Sequence, residues 1–220
     1  MERKAYAPEV RAGGLRSRVA MWRRLALSKP LGVVSLVILM VFILLAIFAN
    51  QVARYDPLAQ DYRVRLEGPT TRHWLGTDKF GRDIWSRVVW GSRTSLAVGF
   101  ISVGLGGTVG LLLGLLSGYA GGRTDVALQR LGEIMLSFPT VLLALILVAA
   151  LGGGLSKVII AIAIVFTPRT MRIMRGSVLS EKENTYVEAA RALGASPLRI
   201  MVRHIMPNVM ATFLIVATNL

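Results

Sequence analysis

Few side chains in this sequence are suited to covalent or metal chemistry. There is no Cys and there are only two His, so thiolate nucleophiles and thiolate metal sites are excluded. His73 and His204 fall on opposite sides of the membrane predicted below, so they cannot form a paired metal site. No G-x-x-x-x-G-K-[ST] run occurs, and such a run is what cradles phosphates in P-loop ATPases. We therefore expect no catalytic residue, no metal site and no bound cofactor, and no hydrolysis of ATP by this chain.

The most distinctive polar stretch is the loop 181–207, whose pattern predicts two short helices. Thr185 and Glu188 have the spacing of a capping box, in which a hydroxyl and a carboxylate satisfy amide groups at a helix start. Alanines follow, and Gly194 suits the left-handed residue that ends a helix. A Ser-Pro pair then matches the start of a second helix, which is expected to end before Pro207.

The elements that position this loop are predicted to be membrane helices. The chain has 220 residues, 54% hydrophobic and 17% charged, whereas globular chains average about 45–50% and about 25%. An uncharged apolar run of about 18 residues or more can cross the hydrocarbon as a helix. The fold class is therefore all-α and polytopic, with about four complete transmembrane helices, a truncated fifth and short cytoplasmic helices. The predicted spans are 31–49, 94–122, 134–151, 155–168 and the short 209–220.

The second predicted span is rich in glycine, with nine Gly among 29 uncharged residues. In lipid, backbone hydrogen bonds meet no competing water, so glycine is tolerated and lets helices approach closely. One series recurs at every fourth residue and lies along one side of the helix. It consists of Gly106, Gly110, Gly114, Gly118 and Gly122. We interpret this series as a helix-packing groove, against the alternative of a general tolerance of glycine.

Two patterns describe the third and fourth spans. The run 134–168 is too long for one upright helix, and three consecutive glycines at 152–154 predict a helical hairpin. Three arginines at intervals of three follow the second arm and are expected to extend to the lipid headgroups. They are Arg169, Arg172 and Arg175.

Lys and Arg favour the cytoplasmic side of a membrane and so predict an orientation. Residues 1–30 hold eight Lys or Arg against two acids, and residues 168–204 hold seven against three. Four crossings separate these segments, so both fit the cytoplasm. The predicted organisation is a basic cytoplasmic leader 1–30, a first transmembrane helix 31–49, an extracytoplasmic segment 50–93, and a transmembrane domain 94–220 that contains the cytoplasmic loop 181–207.

The polar loop resembles a known motif. The run E-A-A at 188–190, Gly194, and Pro207 thirteen residues later are similar to the EAA loop of bacterial ABC-importer permeases, E-A-A-x3-G-x9-I-x-L-P. His204 stands at the Ile position and Met206 at the Leu position, so the tail departs from that pattern. The form R-H-I-x-P-N is nevertheless similar to the peptide and nickel subgroup.

Two further stretches strengthen the resemblance, which covers nearly the whole chain from about residue 20. Residues 76–96 resemble the extracytoplasmic signature of that subgroup's C-type permease, as in dipeptide and oligopeptide permeases. Arg130-x-x-Glu133 ahead of Ser-Phe-Pro at 137–139 is similar to the start of the family's third span. The i, i+3 spacing of Arg130 and Glu133 also predicts an ion pair.

The resemblance implies import of peptides or a related small solute across a bacterial inner membrane. Separate subunits would bind ATP and Mg²⁺ and hydrolyse the ATP. The implied partners are a second homologous permease subunit, two ATP-binding cassette ATPase subunits and an extracytoplasmic substrate-binding protein, with no nucleic acid. The EAA helix would sit in a cleft of an ATPase subunit, where small alanines permit close approach. The implied coupling residues are Glu188, Ala189, Ala190, Gly194 and Pro207.

The extracytoplasmic signature alternates tryptophans with charged residues. We interpret it as an amphipathic interfacial helix with internally paired charges, and direct contact with substrate is the alternative. The residues concerned are Trp74, Asp78, Arg82, Asp83, Trp85, Arg87, Trp90 and Arg93.

Two other interpretations of the chain remain open. A helix-turn-helix beside many arginines suggests a membrane-tethered DNA-binding regulator, but its second helix is mostly apolar and has no Asn or Gln to read base edges. Permeases of this subgroup usually have six spans, and the fifth here is cut at Leu220. A truncated, non-functional permease remnant is therefore the second alternative.

Overall fold

The computed structural model describes residues 30–219, which form helices and loops with one isolated antiparallel bridge between Thr77 and Asp83. The chain divides after residue 93 into two compact units; unit 1 includes the described residues 30–93, and unit 2 the residues 94–219. The leader predicted for 1–30 lies outside the described residues, apart from Pro30. The α-helices are α1 (Pro30–Ile47), α2 (Ala49–Val52), α3 (Ile84–Ala120), α4 (Gly122–Leu136), α5 (Thr140–Leu151), α6 (Leu155–Lys182), α7 (Thr185–Ala192), α8 (Pro197–Arg199) and α9 (Met206–Ala217). A short 3-10 helix (Tyr62–Val64) lies between α2 and α3, and a π-helical segment (Ile200–Ile205) lies between α8 and α9.

Helix α1 forms where the first span is predicted. It has a mean hydropathy of 2.9, and it is apolar all round apart from Ser35. The Ser35 hydroxyl donates to the Leu31 carbonyl oxygen at 2.9 Å, which satisfies the hydroxyl donor inside the helix. This helix is therefore suited to lipid on every side.

Two stretches of the loop in unit 1 come into close backbone contact at two glycines. A Cβ atom at Gly76 would lie 2.4 Å from the Glu67 carbonyl oxygen, and one at Gly81 would lie 1.7 Å from that of Asp61. Both glycines have a positive φ, 74° and 71°. The interfacial helix predicted for 74–93 is therefore wrong before residue 84, because left-handed residues do not continue a right-handed helix.

The charged side chains of this loop pair with one another, as predicted. The Asp78 carboxylate accepts a hydrogen bond from Arg82 Nε at 2.8 Å and lies 3.3 Å from Arg87 Nη1. It also accepts the amide of Phe80 at 2.8 Å. The hydrogen bond from Arg82 is the largest cause that lowers the pKa of Asp78 from 3.8 to about 2.

Asp83 joins the loop to the start of α3. One of its oxygens accepts the Ser86 amide at 2.7 Å, and the other lies 2.9 Å from His73 Nδ1. Burial raises the pKa of Asp83, but the hydrogen bonds from Ser86 and His73 outweigh burial and hold the pKa below its ordinary value. The rings of Trp74 and Trp85 lie 5.5 Å apart beside this junction. The tryptophans therefore belong to a folded loop and a helix start.

Within unit 2, the glycine face of α3 lies directly against α6. A Cβ atom added at any of four glycines would come within 3 Å of an α6 atom. The distances are 2.4 Å from Gly106 to the Ala163 carbonyl oxygen, 2.6 Å from Gly110 to Thr170 Cβ, 2.7 Å from Gly114 to the Met171 carbonyl oxygen, and 2.8 Å from Gly118 to Val178 Cβ. Gly122 does not belong to this face, because it begins α4 and has nothing within 4 Å.

The predicted hairpin is present, but its first arm is broken. Helices α4 and α5 meet at an angle of 96° rather than forming one span over 134–151. Pro139 precedes α5, and proline disfavours helical backbone at the residue before it. The glycine turn at 152–154 forms as predicted, with φ of 89° at Gly152 and 119° at Gly154.

The last helical stretch is longer than the sequence pattern predicts. Helix α8, the π-helical segment and α9 form one run, Pro197–Ala217, of 21 residues. A proline normally clashes with the carbonyl group four residues earlier. Here the backbone widens before Pro207, and the Met206 amide donates to the Met201 carbonyl oxygen, five residues back. The prediction of an isolated apolar stretch at 209–220, too short to cross a membrane, is therefore wrong.

Three helical stretches within residues 30–219 are long and apolar enough to cross a membrane, namely α1, α3 and the run Pro197–Ala217. The bent pair α4–α5 would make a fourth. Helix α6, predicted to contain the fourth span, is not among them because it carries Lys157 and three arginines. The fold is all-α and polytopic, and the fourth span within α6 stays a prediction.

Replacing Gly114 by alanine tests the glycine face. The new methyl group would lie 2.7 Å from the Met171 carbonyl oxygen, which is backbone and cannot rotate away, and overpacking of this kind typically costs about 1–3 kcal/mol. Gly104→Ala is the matched control, since nothing lies within 4 Å of that position in the same helix. Thermal unfolding in detergent should show a lower midpoint for Gly114→Ala only. Equal midpoints would contradict close packing at Gly114.

The lowered pKa of Asp78 predicts an acid-sensitive unit 1. A carboxyl group with a lowered folded-state pKa stabilises the fold above its unfolded pKa, and this stabilisation is lost as pH falls through the folded pKa. For Asp78 the interval runs from 3.8 down to about 2. Asp78→Asn should flatten the pH dependence of tryptophan emission in that interval, while Asp56→Asn, at an exposed position of the same unit, should leave it unchanged. Identical profiles for the two variants would refute this assignment.

Candidate functional site

The EAA helix α7 begins almost directly after α6, with only Glu183 and Asn184 between them. Asn184 is the N-cap residue, with extended backbone (φ −73°, ψ 141°), and no side chain caps the helix. The predicted capping box at Thr185 and Glu188 is therefore wrong. Thr185 is already the first helical residue, so Val187 rather than Glu188 occupies the third position that a capping box requires.

Gly194 ends this helix as predicted. Its φ is 79°, its amide donates to the Arg191 carbonyl oxygen at 3.0 Å, and the Ala195 amide donates to the Ala190 carbonyl oxygen at 3.1 Å. These two bonds form a Schellman motif, which requires a left-handed residue at this position. The turn then leads to Ser196 and Pro197, which occupy the predicted N-cap and first helical positions, although the Ser196 side chain forms no capping bond.

The two alanines of the EAA run lie on different faces of α7. Ala190 is buried, and so is Val187 three residues earlier, whereas Glu188 and Ala189 are exposed. The interpretation that both alanines give a partner close access is therefore corrected. Ala190 packs inwards because the helical repeat places it on the same face as Val187, and Ala189 alone of the pair borders solvent.

A hydrophobic core supports this buried face of α7. It combines side chains of α3, α6, α7 and the last helical run, and Met174, Val178 and Ile205 within it are fully buried. The core consists of Leu111, Leu115, Met174, Val178, Val187, Ala190, Ile200, Ile205 and Val209. The EAA helix is thus packed on side chains of α3, α6 and the last helical run.

Tyr186 is a site residue that sequence reasoning missed. Its hydroxyl group donates to the Glu181 carboxylate and accepts the Asn208 side-chain amide at 2.8 Å. Asn208 also donates to the His204 carbonyl oxygen at 2.8 Å. Burial first, and then Glu181, raises the pKa of Tyr186 above its ordinary value. No local pattern predicts these contacts, since one partner lies 22 residues further along the chain.

Several apolar side chains of the loop face solvent. Leu193 is 88% exposed, Leu198 is 67% exposed and Val202 is 50% exposed. Large apolar side chains that the rest of the described chain leaves uncovered are suited to contact with a partner protein or with lipid. We call the exposed residues Glu188, Ala189, Leu193, Leu198 and Val202 the loop surface.

The remaining candidate residues have structural partners. Arg130 Nη1 and Glu133 Oε2 lie 3.0 Å apart, which confirms the predicted ion pair. Of the three arginines in α6, Arg169 and Arg172 are exposed, but Arg175 forms an ion pair with Asp125 at 2.5 Å. Among the described residues, no group of three or more His, Cys, Asp or Glu side chains is arranged to hold a metal ion.

Comparison with known proteins identifies the class to which this fold and loop belong. Residues 110–219 match the family of binding-protein-dependent transport system inner membrane components, and residues 18–69 match the N-terminal transmembrane domain of oligopeptide transport permease C. The chain belongs to this family of inner membrane transport components.

Three relatives show the similarity in detail. A dipeptide transport system permease protein, DppC, of Alkalihalophilus pseudofirmus is 43% identical over 87% of this chain and 63% of its own length. A probable D,D-dipeptide transport system permease protein, DdpC, of Escherichia coli is 42% identical over 87% of this chain and 64% of its own length. A glutathione transport system permease protein, GsiD, of Pectobacterium atrosepticum is 39% identical over 88% of this chain and 64% of its own length. The chain therefore spans just under two thirds of these relatives.

The different environments of the two alanines can be tested by enlarging each one. Ala190→Leu forces a larger side chain into the packed core, which typically costs about 1–3 kcal/mol. Ala189→Leu is the matched control, because the same change one residue earlier falls on the exposed face. Thermal unfolding should separate the two variants. Destabilisation by Ala189→Leu equal to that by Ala190→Leu would overturn the assignment of faces.

Proposed function

We propose that this chain is a permease subunit of an ATP-binding cassette importer that moves short peptides, or a related small solute, into the cytoplasm. The observation that carries the proposal is the EAA helix, which is fixed to the helix ends by its own core while Glu188 and Ala189 stay exposed. Membership of the inner membrane transport family supports the same function. The three relatives described above are named for dipeptides, D,D-dipeptides and glutathione, which favours short peptides as the substrate class.

The loop surface is the proposed contact with an ATPase subunit. Removal of exposed apolar side chains from water by a partner lowers the free energy. Leu193 and Leu198 are the most exposed apolar side chains of this surface. ATP and Mg²⁺ would be bound by the ATPase subunits. Each permease chain would supply one EAA helix, so that two homologous permease subunits engage two ATPase subunits.

The packing of unit 2 supports a route by which movement of α7 would reach the membrane. Only two residues separate α7 from α6, and the shared core makes both helices parts of one packed body. Helix α6 lies in close contact with the glycine face of α3. The same core includes Leu111 and Leu115 of α3, so displacement of α7 by an ATPase subunit would be carried into α6 and α3 together.

The proposed setting is a bacterial inner membrane, with the leader and the loop 181–207 in the cytoplasm and the segment 50–93 outside. An extracytoplasmic binding protein would deliver the substrate to that outer side. The excess of Lys and Arg in 1–30 and in 168–204 supports this orientation.

Reconstitution tests the proposed function directly. The chain would be purified with a second permease and the ATPase subunits and placed in vesicles with a peptide-binding protein. We expect uptake of a labelled dipeptide that requires ATP on the side of the vesicle membrane that carries the ATPase subunits. This uptake should stop when the chain is omitted. Uptake that does not depend on the chain would refute the proposal.

Gly194→Asp is predicted to uncouple transport while leaving insertion into the membrane intact. The φ of 79° at Gly194 strains any residue with a side chain, and the carboxylate adds charge beside the exposed Leu193. Gly153→Asp, in the hairpin turn on the other predicted side of the membrane, is the control, because Gly153 is equally uncrowded but is not among the glycines with a positive φ. Vesicles with Gly194→Asp should hydrolyse ATP but import little dipeptide. Normal uptake would contradict a role for this turn.

A further inference from the structure

A polar junction joins three helices close to the origin of the EAA helix. Asp125, in the first turn of α4, accepts hydrogen bonds from Arg175 Nε and Nη2 of α6, each at 2.5 Å. The same carboxylate accepts the hydroxyl group of Ser117 of α3, also at 2.5 Å. The two contacts from Arg175 form a bidentate pair, which fixes the relative orientation of both side chains as well as their separation.

The junction is partly shielded from solvent. The side chain of Asp125 is 15% exposed, that of Arg175 is 31% exposed, and Ser117 is buried. Gln129 donates a further hydrogen bond to the Ser117 hydroxyl oxygen at 3.0 Å. Separating the pair would leave a partly shielded carboxylate with the Ser117 hydroxyl as its remaining side-chain donor, so the junction resists opening.

Helices α4 and α6 also pack together away from the junction. Two turns along α4, a Cβ atom at Gly132 would lie 2.7 Å from the end of the Met171 side chain. That second contact is apolar and ends in a flexible methyl group. Within residues 30–219, no side-chain hydrogen bond or ion pair other than that between Asp125 and Arg175 joins α4 to α6.

The position of Arg175 gives the pair its importance. It lies two turns before Lys182, where α6 ends, and the chain then passes into α7. On the other side of the pair, α4 leads through the 96° bend into α5. The pair thus stands between the helix that carries the EAA motif and the helix pair that enters the membrane.

We propose that Asp125 and Arg175 are positioning residues for energy coupling: their bidentate contact makes α4 move together with the end of α6 that carries α7. This inference rests on the proposed transport function. Without the pair, movement of α7 would rotate or bend the end of α6 against α4 instead of carrying α4 and α5 with it. ATP hydrolysis would continue, but less of it would result in transport.

The test is the number of substrate molecules imported per ATP hydrolysed by the complete reconstituted transporter. Asp125→Asn removes the charge with little change in size, and Arg175→Lys keeps the charge but loses the two-pronged contact. Each should lower the ratio by about fivefold or more. A factor of this size corresponds to the low end of typical coupling free energies between sites. The double exchange Asp125→Arg with Arg175→Asp should restore part of the ratio.

Matched controls separate coupling from general damage. Glu133→Gln removes an ion-paired carboxylate of the same helix, but that pair is exposed on the surface of α4, so its ratio should equal that of the unmodified chain. A ratio unchanged in Asp125→Asn and Arg175→Lys, or transport and hydrolysis that fall together, would overturn the inference. Absence of ATP-dependent uptake in the unmodified complex would instead refute the proposed function.

A distance measurement provides a second test for variants whose transport or ATP hydrolysis is too slow for the ratio to be measured. The chain has no Cys, so Thr124→Cys in α4 and Ser180→Cys in α6, both exposed positions, can carry the only spin labels on this subunit. We expect the distance between these labels to stay constant between nucleotide-free and ATP-bound complexes. It should change on ATP binding once Asp125→Asn is added. A constant distance in that variant would overturn the inference.

Discussion

The close contact between α3 and α6 is the constraint on which the rest of unit 2 depends. At Gly106 and Gly114 the backbone of α3 approaches α6 so closely that a methyl group would overlap a carbonyl oxygen. This spacing places Leu111 and Leu115 of α3 within reach of Met174 in one core. That core in turn supports the EAA helix. A wider separation of the two helices would remove the support on which the loop surface is presented.

Glycine has a second and unrelated role in unit 1. Gly76 and Gly81 lie at positive φ where two parts of the loop cross, so they are needed for backbone conformation as well as for space. The charged groups are then held close enough to pair, as Asp78 does with Arg82. In both units the absence of a side chain makes close packing possible, but only the helical series has a spacing that the sequence reveals.

Some patterns that depend on neighbouring residues gave correct predictions and others did not, whereas contacts between distant residues were not predicted at all. Gly194 was predicted because a helix stop is decided within a few residues. The helix start was misassigned by one position, because Thr and Asn are both good N-cap residues and only the backbone at Asn184 decides between them. Pro207 was interpreted as a break, yet the π-helical segment before it removes the expected clash. The pair of Asp125 and Arg175 joins residues 50 positions apart, which no local pattern relates.

The amino-acid sequence by itself determined the membrane character of the chain, the glycine series and the EAA loop with its stop at Gly194, because each follows from composition or from spacing along one helix. The tertiary structure decided which alanine faces the core, since Ala189 and Ala190 differ only in their rotation about the axis of α7. It also decided which of the arginines in α6 is paired and that the last helix continues through Pro207. These outcomes depend on contacts between helices, and such contacts form only when the packed helices fix each rotation and separation.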